Sequence, residues 1–533
     1  PMKLPKRASL YTAVATAALG LAAASTSTIA ATAPDVSRSN TGQALVFPYY
    51  TVNNGWATTF NVMNTSDKTL AVKVRFHESK NSRDVLDFNI VMSPYDAWTG
   101  WVQNSPEGPQ LFTEDKSCTS PLNVNGVTAS LIATTGQFDD TGGDGFNRMR
   151  EGYVEVLIMG EADTIGGSVA NPTAAFNNNE SLSVPYYAEH VNGEPRDCSI
   201  VDRAFINKSA QWPGGDVLPT DIGAPVPEGC FAAVTDPSAG SGYPLARCDF
   251  VAPSGNWLKG NVSWLNAAVG AGAGSEAIAV ENWSNQNFVT AQTFPWFLEP
   301  TFASEAGLWT ITGVTSFEMA VSAAATMNEW ASNPVNGAAT DWVITFPTKA
   351  YHVDAFNDQI QAASSKYRNG GADVVNCTTD GTSVAARETC SPTNTPVPVS
   401  PFDYLFGVQG NGDSTITVSY DLYDREEGTT TIETDGTTIS PAPPPEITID
   451  TLRYEANVIQ FAETPVLFSS NPAVVDAPAL LGAPNGWAQL NFSRPLPVTA
   501  FAVKVVNQGI ASQAIGQAMD AGYVPAVAPP TTP

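Results

Sequence analysis

Charge is the first thing this sequence is short of. Charged residues make up 14% of its 533 positions, against roughly 25% in an average soluble domain, so Thr, Ser, Asn and Gly must carry the surface. The charge present leans one way: 25 Lys and Arg against 52 Asp and Glu leave a formal net charge of −27. Such a field repels a phosphate backbone and excludes nucleic acid as a partner. It attracts cations instead, and calcium is the usual extracellular one. Only three histidines occur, His77, His190 and His352, which leaves little for histidine-based catalysis or zinc. There is no G-x-S-x-G elbow, no H-E-x-x-H, no phosphate-binding loop and no dinucleotide fingerprint. With 52 acidic residues, no carboxylate pair stands out as that of a glycosidase. The chain therefore does not read as an enzyme. No internal apolar run reaches the roughly 20 residues of a helical membrane span. No repeat of roughly 20–50 residues marks a solenoid or propeller.

What the sequence has is a core. The hydrophobic fraction is 43% and the aromatic fraction 10%, enough for a folded protein rather than an acidic disordered chain. The dominant period is two. From Leu70 to His77 apolar residues alternate with polar or small ones, as they do around Phe60 and Val62 and again at Leu86, Phe88 and Ile90. Asn64–Asp67 and the Asn81–Asp84 region supply polar turns between them. Further strands are predicted over 127–133, 153–159, 262–265, 277–283, 342–346, 415–423, 488–492 and 500–506. An Asp-Gly hairpin is predicted over 429–440. This is the signature of antiparallel, immunoglobulin-like β-sandwiches with long polar loops and one or two short helices. The clearest helical pattern follows Ser316, a candidate N-cap, through Trp330, with Phe317, Val321, Ala324 and Met327 on one face. A weaker one covers 353–367. His77 falls on the polar side of its strand, where solvent is its expected partner. A soft boundary near 300 divides an N-terminal β-sandwich region, 34–300, from a C-terminal β-rich region, 301–520. A Pro-rich flexible tail occupies 521–533, without the terminal aromatic strand of an outer-membrane barrel.

Lys3, Lys6 and Arg7 precede an Ala- and Leu-rich run from Leu10 to Ala24 and small residues through Ala33. That pattern predicts a secretory signal peptide over 2–33 and hence an exported protein without a transmembrane span. Six cysteines, Cys118, Cys198, Cys230, Cys248, Cys377 and Cys390, fit an oxidising compartment and read as disulfides, since no pair has C-x-x-C spacing. Proximity favours Cys230 with Cys248 and Cys377 with Cys390, which leaves Cys118 and Cys198, although sequence alone does not fix the pairing.

The best metal candidate is the Gly-rich turn holding Asp139, Asp140 and Asp144, whose oxygens suit one hard cation such as calcium. A bare solvated turn is the competing explanation. A second acidic cluster, Asp421, Asp424, Glu426 and Glu427, reads more simply as a charged strand end with Arg425 as local partner. The Trp98/Trp101 and Trp257/Trp264 pairs offer a sugar-stacking platform, but core packing is the commoner use of Trp in a sandwich.

Several stretches resemble a known group. GQALVFPYYTVNNGWATTFNVMNTSDKTLAVKVRFHESKNSRDVLDFNIVMSPYDAWTGWV at 42–102 and EGYVEVLIMGEA at 151–162 are two of them. Others are LKGNVSWLNAAVG and AIAVENW within 258–283, DWVITFPTK at 341–349, and GWAQLNF with PVTAFAV within 486–503. Together they are similar to exported proteobacterial cell-surface proteins, among them the surface-layer-like proteins of marine Gammaproteobacteria. The resemblance implies a self-assembling structural protein of a Gram-negative cell surface. Its copies would form a calcium-assisted two-dimensional array held to lipopolysaccharide on the outer membrane. The alternatives are a secreted adhesin or polysaccharide-binding protein and, third, a secreted hydrolase.

Overall fold

The computed structural model describes residues 34–129, 142–143, 145–162, 184–202, 250–283, 318, 320–333, 335–353, 375–376, 391–392, 401–404, 406, 413–425, 448–461, 464–481, 483–507, 514–520 and 522–525. The expected signal peptide, Cys230, Cys248, Cys377, Cys390, the 429–440 hairpin and residues 354–367 lie outside them.

The alternating patterns form mainly antiparallel sheets. The first sheet orders Asp35–Val36, Ile278–Glu281, Ala44–Thr51, Glu151–Ala162, Thr69–Glu78, Asp84–Met92 and Cys118–Ser120. The second orders Ala271–Glu276, Leu258–Asn266, Ala57–Asn64, Ala97–Ser105, Gly108–Phe112 and Val127–Thr128. These two sheets enclose one core, with Phe47, Val72, Phe76, Val156, Phe60, Trp98 and Val262 inside. A second sandwich has a third sheet of Thr448–Leu452, Ile416–Asp424, Asn485–Pro497, Ser322–Ala331 and Gly522–Pro525. Its fourth sheet orders Ala473–Val474, Ala456–Gln460, Ala339–Thr345, Thr499–Asn507 and Ala514–Asp520. Ala473–Val474 is joined parallel, against the antiparallel rule.

Local chemistry sets the turns. Asn64 builds the first one: its Oδ1 accepts from Ser66 N at 3.0 Å and Ser66 Oγ at 2.7 Å, while its Nδ2 donates to the Lys68 and Ser93 carbonyls at 2.7 and 2.8 Å. That is an Asx turn extended to a second loop. The helices Val184–Ala188, Lys349–Val353 and Ala477–Leu481 are five residues each. No helix among the described residues is long and apolar enough to cross a membrane. A disulfide joins Cys118, on the edge of the first sheet, to Cys198, which packs with Val184 and Val201 against a second apolar cluster that includes Ala44, Val46 and Leu157 of that sheet.

Two expectations fail. The Ala-rich segment through Trp330 is a strand over Ser322–Ala331, and among the described residues just before it Glu318, Ala320 and Val321 are helical. Its residues pair with Asn485–Pro497 on one side and Gly522–Pro525 on the other. Ala323 and Trp330 face the core, so tertiary pairing overrides a helix-favouring composition. His77 is 2% exposed rather than solvated. It pairs with Glu155, stacks on Tyr153 at 4.8 Å and places Nδ1 3.0 Å from the Ser82 carbonyl. Its whole strand, Thr69–Glu78, is buried at every position. The register sets Arg75 between Asp87 and Glu155, so a charged row runs across a face that alternation alone assigns to water.

The fourth sheet joins the two sandwiches. Alternate residues of Ala339–Thr345 point to different cores: Ala339 and Val343 to the first, Trp342 and Ile344 to the second. All seven are buried. Trp264 of the second sheet stacks on Phe501 of the fourth at 4.8 Å and 13°. Backbone bonds cross as well, Ala456 N to the Ser79 carbonyl at 2.9 Å and Glu455 N to the Lys80 carbonyl at 3.3 Å.

Phe501 is 2% exposed in this shared core. Phe501→Ala is expected to cost about 3–5 kcal/mol. Unfolding followed together by tryptophan fluorescence and circular dichroism should stay a single transition at lower temperature. Two separate transitions would show that the sandwiches do not depend on one another.

Candidate functional site

Of the sequence-predicted metal ligands, only Asp421 and Asp424 fall among the described residues. Asp139, Asp140, Asp144, Glu426 and Glu427 lie outside the described residues. Asp421 and Asp424 share the strand Ile416–Asp424 three positions apart, a spacing that places them on opposite faces. Asp421 Oδ2 accepts from Asn491 Nδ2 at 2.9 Å. Arg425 reaches Glu329 across the sheet at 3.4 Å. No group of three acidic, His or Cys side chains with ligand geometry occurs among the described residues.

Of the tryptophans singled out, Trp98 and Trp264 are core residues at 1% and 0% exposure. Trp101 points the other way. It lies on the outward face of the second sheet and stacks on Phe112 of the next strand at 5.7 Å and 20°. Across the register stand Thr59 and then Ser263, with Asn61 and Thr99 in the adjacent row, where Asn61 Nδ2 donates to Thr99 Oγ1 at 3.0 Å. Trp101 Nε1 donates to Gln103 Oε1 at 3.2 Å, and Gln110 Nε2 to Thr128 Oγ1 at 2.9 Å. At the far edge Lys259 and Glu276 neutralise each other at 3.1 Å.

The third sheet repeats this arrangement. Tyr423 stacks on Trp487 at 4.0 Å and 8°. A Cβ at Gly486 would fall 1.9 Å from the Tyr423 carbonyl oxygen, so only glycine lets the two strands approach at this point. Beside the rings, Gln489 Nε2 donates to Asn491 Oδ1 at 2.6 Å, and Asn491 in turn to Asp421. Each sandwich thus presents a sheet face with a cross-strand aromatic pair among amides and hydroxyls. Period-two alternation is enough to place Trp101 and Trp487 outward, but their ring partners depend on register, which sequence does not give.

At the seam, charges are buried. Glu78 takes a bidentate pair from Arg148, Nε at 2.6 Å and Nη2 at 2.8 Å, and also accepts the backbone N–H groups of Lys80, Asn81 and Arg83. Lys349 Nζ donates to the carbonyls of Ser414, Arg453 and Tyr454 at 2.6, 3.2 and 3.2 Å. Burial pushes this ammonium down and the Glu455 carboxyl up, and the attraction between the two opposes both shifts. Two further carboxylates pin the 466–470 loop of the second sandwich. Glu151 Oε1 accepts from Ser469 Oγ, Ser470 N and Ser470 Oγ at 3.1, 3.0 and 2.7 Å, while its Oε2 accepts from Tyr49 OH at 2.6 Å. Asp341 Oδ2 accepts from Val466 N at 2.9 Å and Leu467 N at 2.7 Å. Burial pushes the Asp341 carboxyl up to about 7 against those two bonds.

Between the pinned loop and the first sandwich opens a cleft of about 630 Å³, lined by Asn53, Asn54, Asn147, Arg150, Phe468, Ser470 and Asn471. The Asn-Asn-Gly turn at 53–55 provides one wall, with Asn54 at φ 46° and Gly55 at φ 81°. Sequence reasoning missed the cleft because its two walls lie more than 300 positions apart along the chain.

Folding takes up a proton at Asp341 between the ordinary 3.8 and about 7. The stability this group contributes is therefore full below 3.8 and lost as pH rises through about 7. Asp341→Asn, which cannot ionise, should gain stability relative to wild type as pH rises from about 4 through about 7, with no further change by about pH 8.5, in thermal denaturation. A gap that stays constant across the range would show that Asp341 does not hold its proton. No family model, curated protein or solved structure matches this chain, so its function has to come from these faces and this seam.

Proposed function

We propose that this protein is a structural subunit of a bacterial surface layer, exported and assembled side by side with copies of itself into a two-dimensional array over the outer membrane. The observation that carries the reading is the central strand of the fourth sheet, Ala339–Thr345, which is buried at every position between the two cores and so unites the two sandwiches. A tile that bears lateral load needs this close-packed continuity, because dense interiors transmit strain rather than absorb it. The Cys118–Cys198 disulfide suits an oxidising compartment outside the cytoplasm. At a net charge of −27 the copies repel one another, so the array requires bridging cations, and calcium is the cation proposed. Lipopolysaccharide is the proposed surface beneath it.

The test is negative-stain electron microscopy of the full chain with millimolar calcium and with chelator. Ordered sheets that dissolve on chelation are expected, and particles that stay monomeric on lipopolysaccharide vesicles with calcium would count against the array.

The aromatic faces favour a second reading, polysaccharide binding. A ring pair stacks on the apolar face of a sugar while neighbouring amides meet its hydroxyls, and both outer faces hold that set. If it is right, Trp101→Ala and Trp487→Ala should each weaken retention in polysaccharide affinity electrophoresis without lowering thermal stability by more than about 1 kcal/mol. Unchanged retention of both variants would remove this reading.

A further inference from the structure

The seam cleft is built for a ligand that neither the array nor the aromatic faces account for. Most of its wall is neutral amide, and its one formal charge is Arg150; no carboxylate among the described residues lines it. Two of its donors are left over. Asn53, 9% exposed, has its backbone engaged by the Thr51 hydroxyl and the Trp56 amide, yet its Nδ2 has no partner among the described residues. Arg150 Nε is buried and likewise unpartnered. A buried donor without an acceptor is unfavourable, more so when the group is charged, so two in one cleft mark a place where an acceptor belongs. The contrast with Arg148, two residues away and paired with Glu78, is informative. The fold engages Nε and Nη2 of that guanidinium, whereas Arg150, which lines the cleft, keeps an Nε without a partner among the described residues.

The acceptor is an anion on a larger, hydroxyl-rich body. A lone anion would not fill about 630 Å³, a volume within the range of about 300–1,000 Å³ that holds whole small molecules. Phe468, 39% exposed and at φ 55°, offers a ring to the apolar face of such a body. Asn54, Asn147 and Asn471 provide both donors and acceptors for hydroxyls. The negative field of the whole chain is screened beyond about 8 Å at physiological salt, which leaves the nearby guanidinium to set the local sign. We propose that this cleft binds an anionic sugar residue, its carboxylate or phosphate on Arg150 and Asn53 and its ring against Phe468. The site stands whether or not copies of the chain form an array, since both walls belong to one chain.

The full chain is titrated by saturation-transfer NMR and calorimetry with glucuronate, glucose 6-phosphate, glucose and inorganic phosphate. One saturable site for glucuronate, for glucose 6-phosphate or for both is expected, and which of the two binds tells carboxylate from phosphate. Arg150→Gln should weaken it about tenfold or more. Asn147→Asp changes only an exposed rim side chain and should weaken it as well by placing a like charge in the cleft, so a folding defect in the arginine variant leaves the test intact. Glucose binding as tightly as the acidic sugars, or inorganic phosphate matching them, overturns the assignment. So does an affinity that neither variant changes, or an absence of saturable binding.

Discussion

A sheet whose central strand has no free face is the constraint on which the rest of this structure depends. Ala339–Thr345 lies at its centre, with neighbours on both edges and a core on either side, and none of its seven residues reaches water. A strand in that position normally reads as an unbroken apolar run. This one reads ATDWVIT, so every polar atom in it needs an internal partner. The consequences can be followed atom by atom. Thr340 Oγ1 bonds back to Ala331, Thr345 Oγ1 donates to the Pro48 carbonyl at 2.6 Å, and Asp341 gathers two backbone N–H groups from the 466–467 turn. The polar residues of the central strand are what tie the neighbouring elements to it, and two of these three ties reach beyond its own sheet.

This explains why charged groups collect at the seam rather than at the surface. Where a sheet lies across the end of a sandwich, it meets strand ends and turns, whose backbone groups have no ladder to satisfy them. Carboxylates answer that need because each offers two oxygens to several N–H donors. Glu78 closes the turn after Thr69–Glu78 with three such bonds besides its arginine, and Glu151 and Asp341 do the same for the loop across the seam. Replacing a buried ion pair by apolar residues is often neutral for stability, whereas removing one partner is costly. The network therefore acts mainly by fixing which loop meets which end, so that the two sandwiches have one relative placement.

Much of the fold was legible from alternation. Strands around Phe60, Val74, Val156, Val262 and Leu490 fall where period two puts them, because each has one face in a core and side chains that suit a pleated surface. Where that reasoning failed, the cause was a second layer. The polar side of Lys73, Arg75 and His77 is covered, and alternation reports which residues share a face but not what lies over it. The Ala-rich strand Ser322–Ala331 misled for a related reason. Alanine is permissive, and a strand with partners on both edges overrides a weak local preference. The site was less legible than the fold. Acidic clusters draw the eye in a sequence of low charge density, yet Asp421 serves an amide chain on a sheet face and Arg425 reaches another strand.

The seam cleft follows from the same constraint. A loop held at Val466, Leu467 and Ser470 by two carboxylates of other strands is not free to collapse onto the 53–55 turn opposite. Its neighbours Phe468 and Asn471 are left to line an opening instead of filling it. Packing alone would favour closure, since an unfilled space forfeits contacts on every side. The space persists because the hydrogen bonds that hold its walls apart are buried, directional and shared with the joint between the sandwiches. Rigidity at the joint and vacancy beside it thus have one cause, and a ligand entering the cleft meets donors already fixed in place, with little ordering left to oppose its binding.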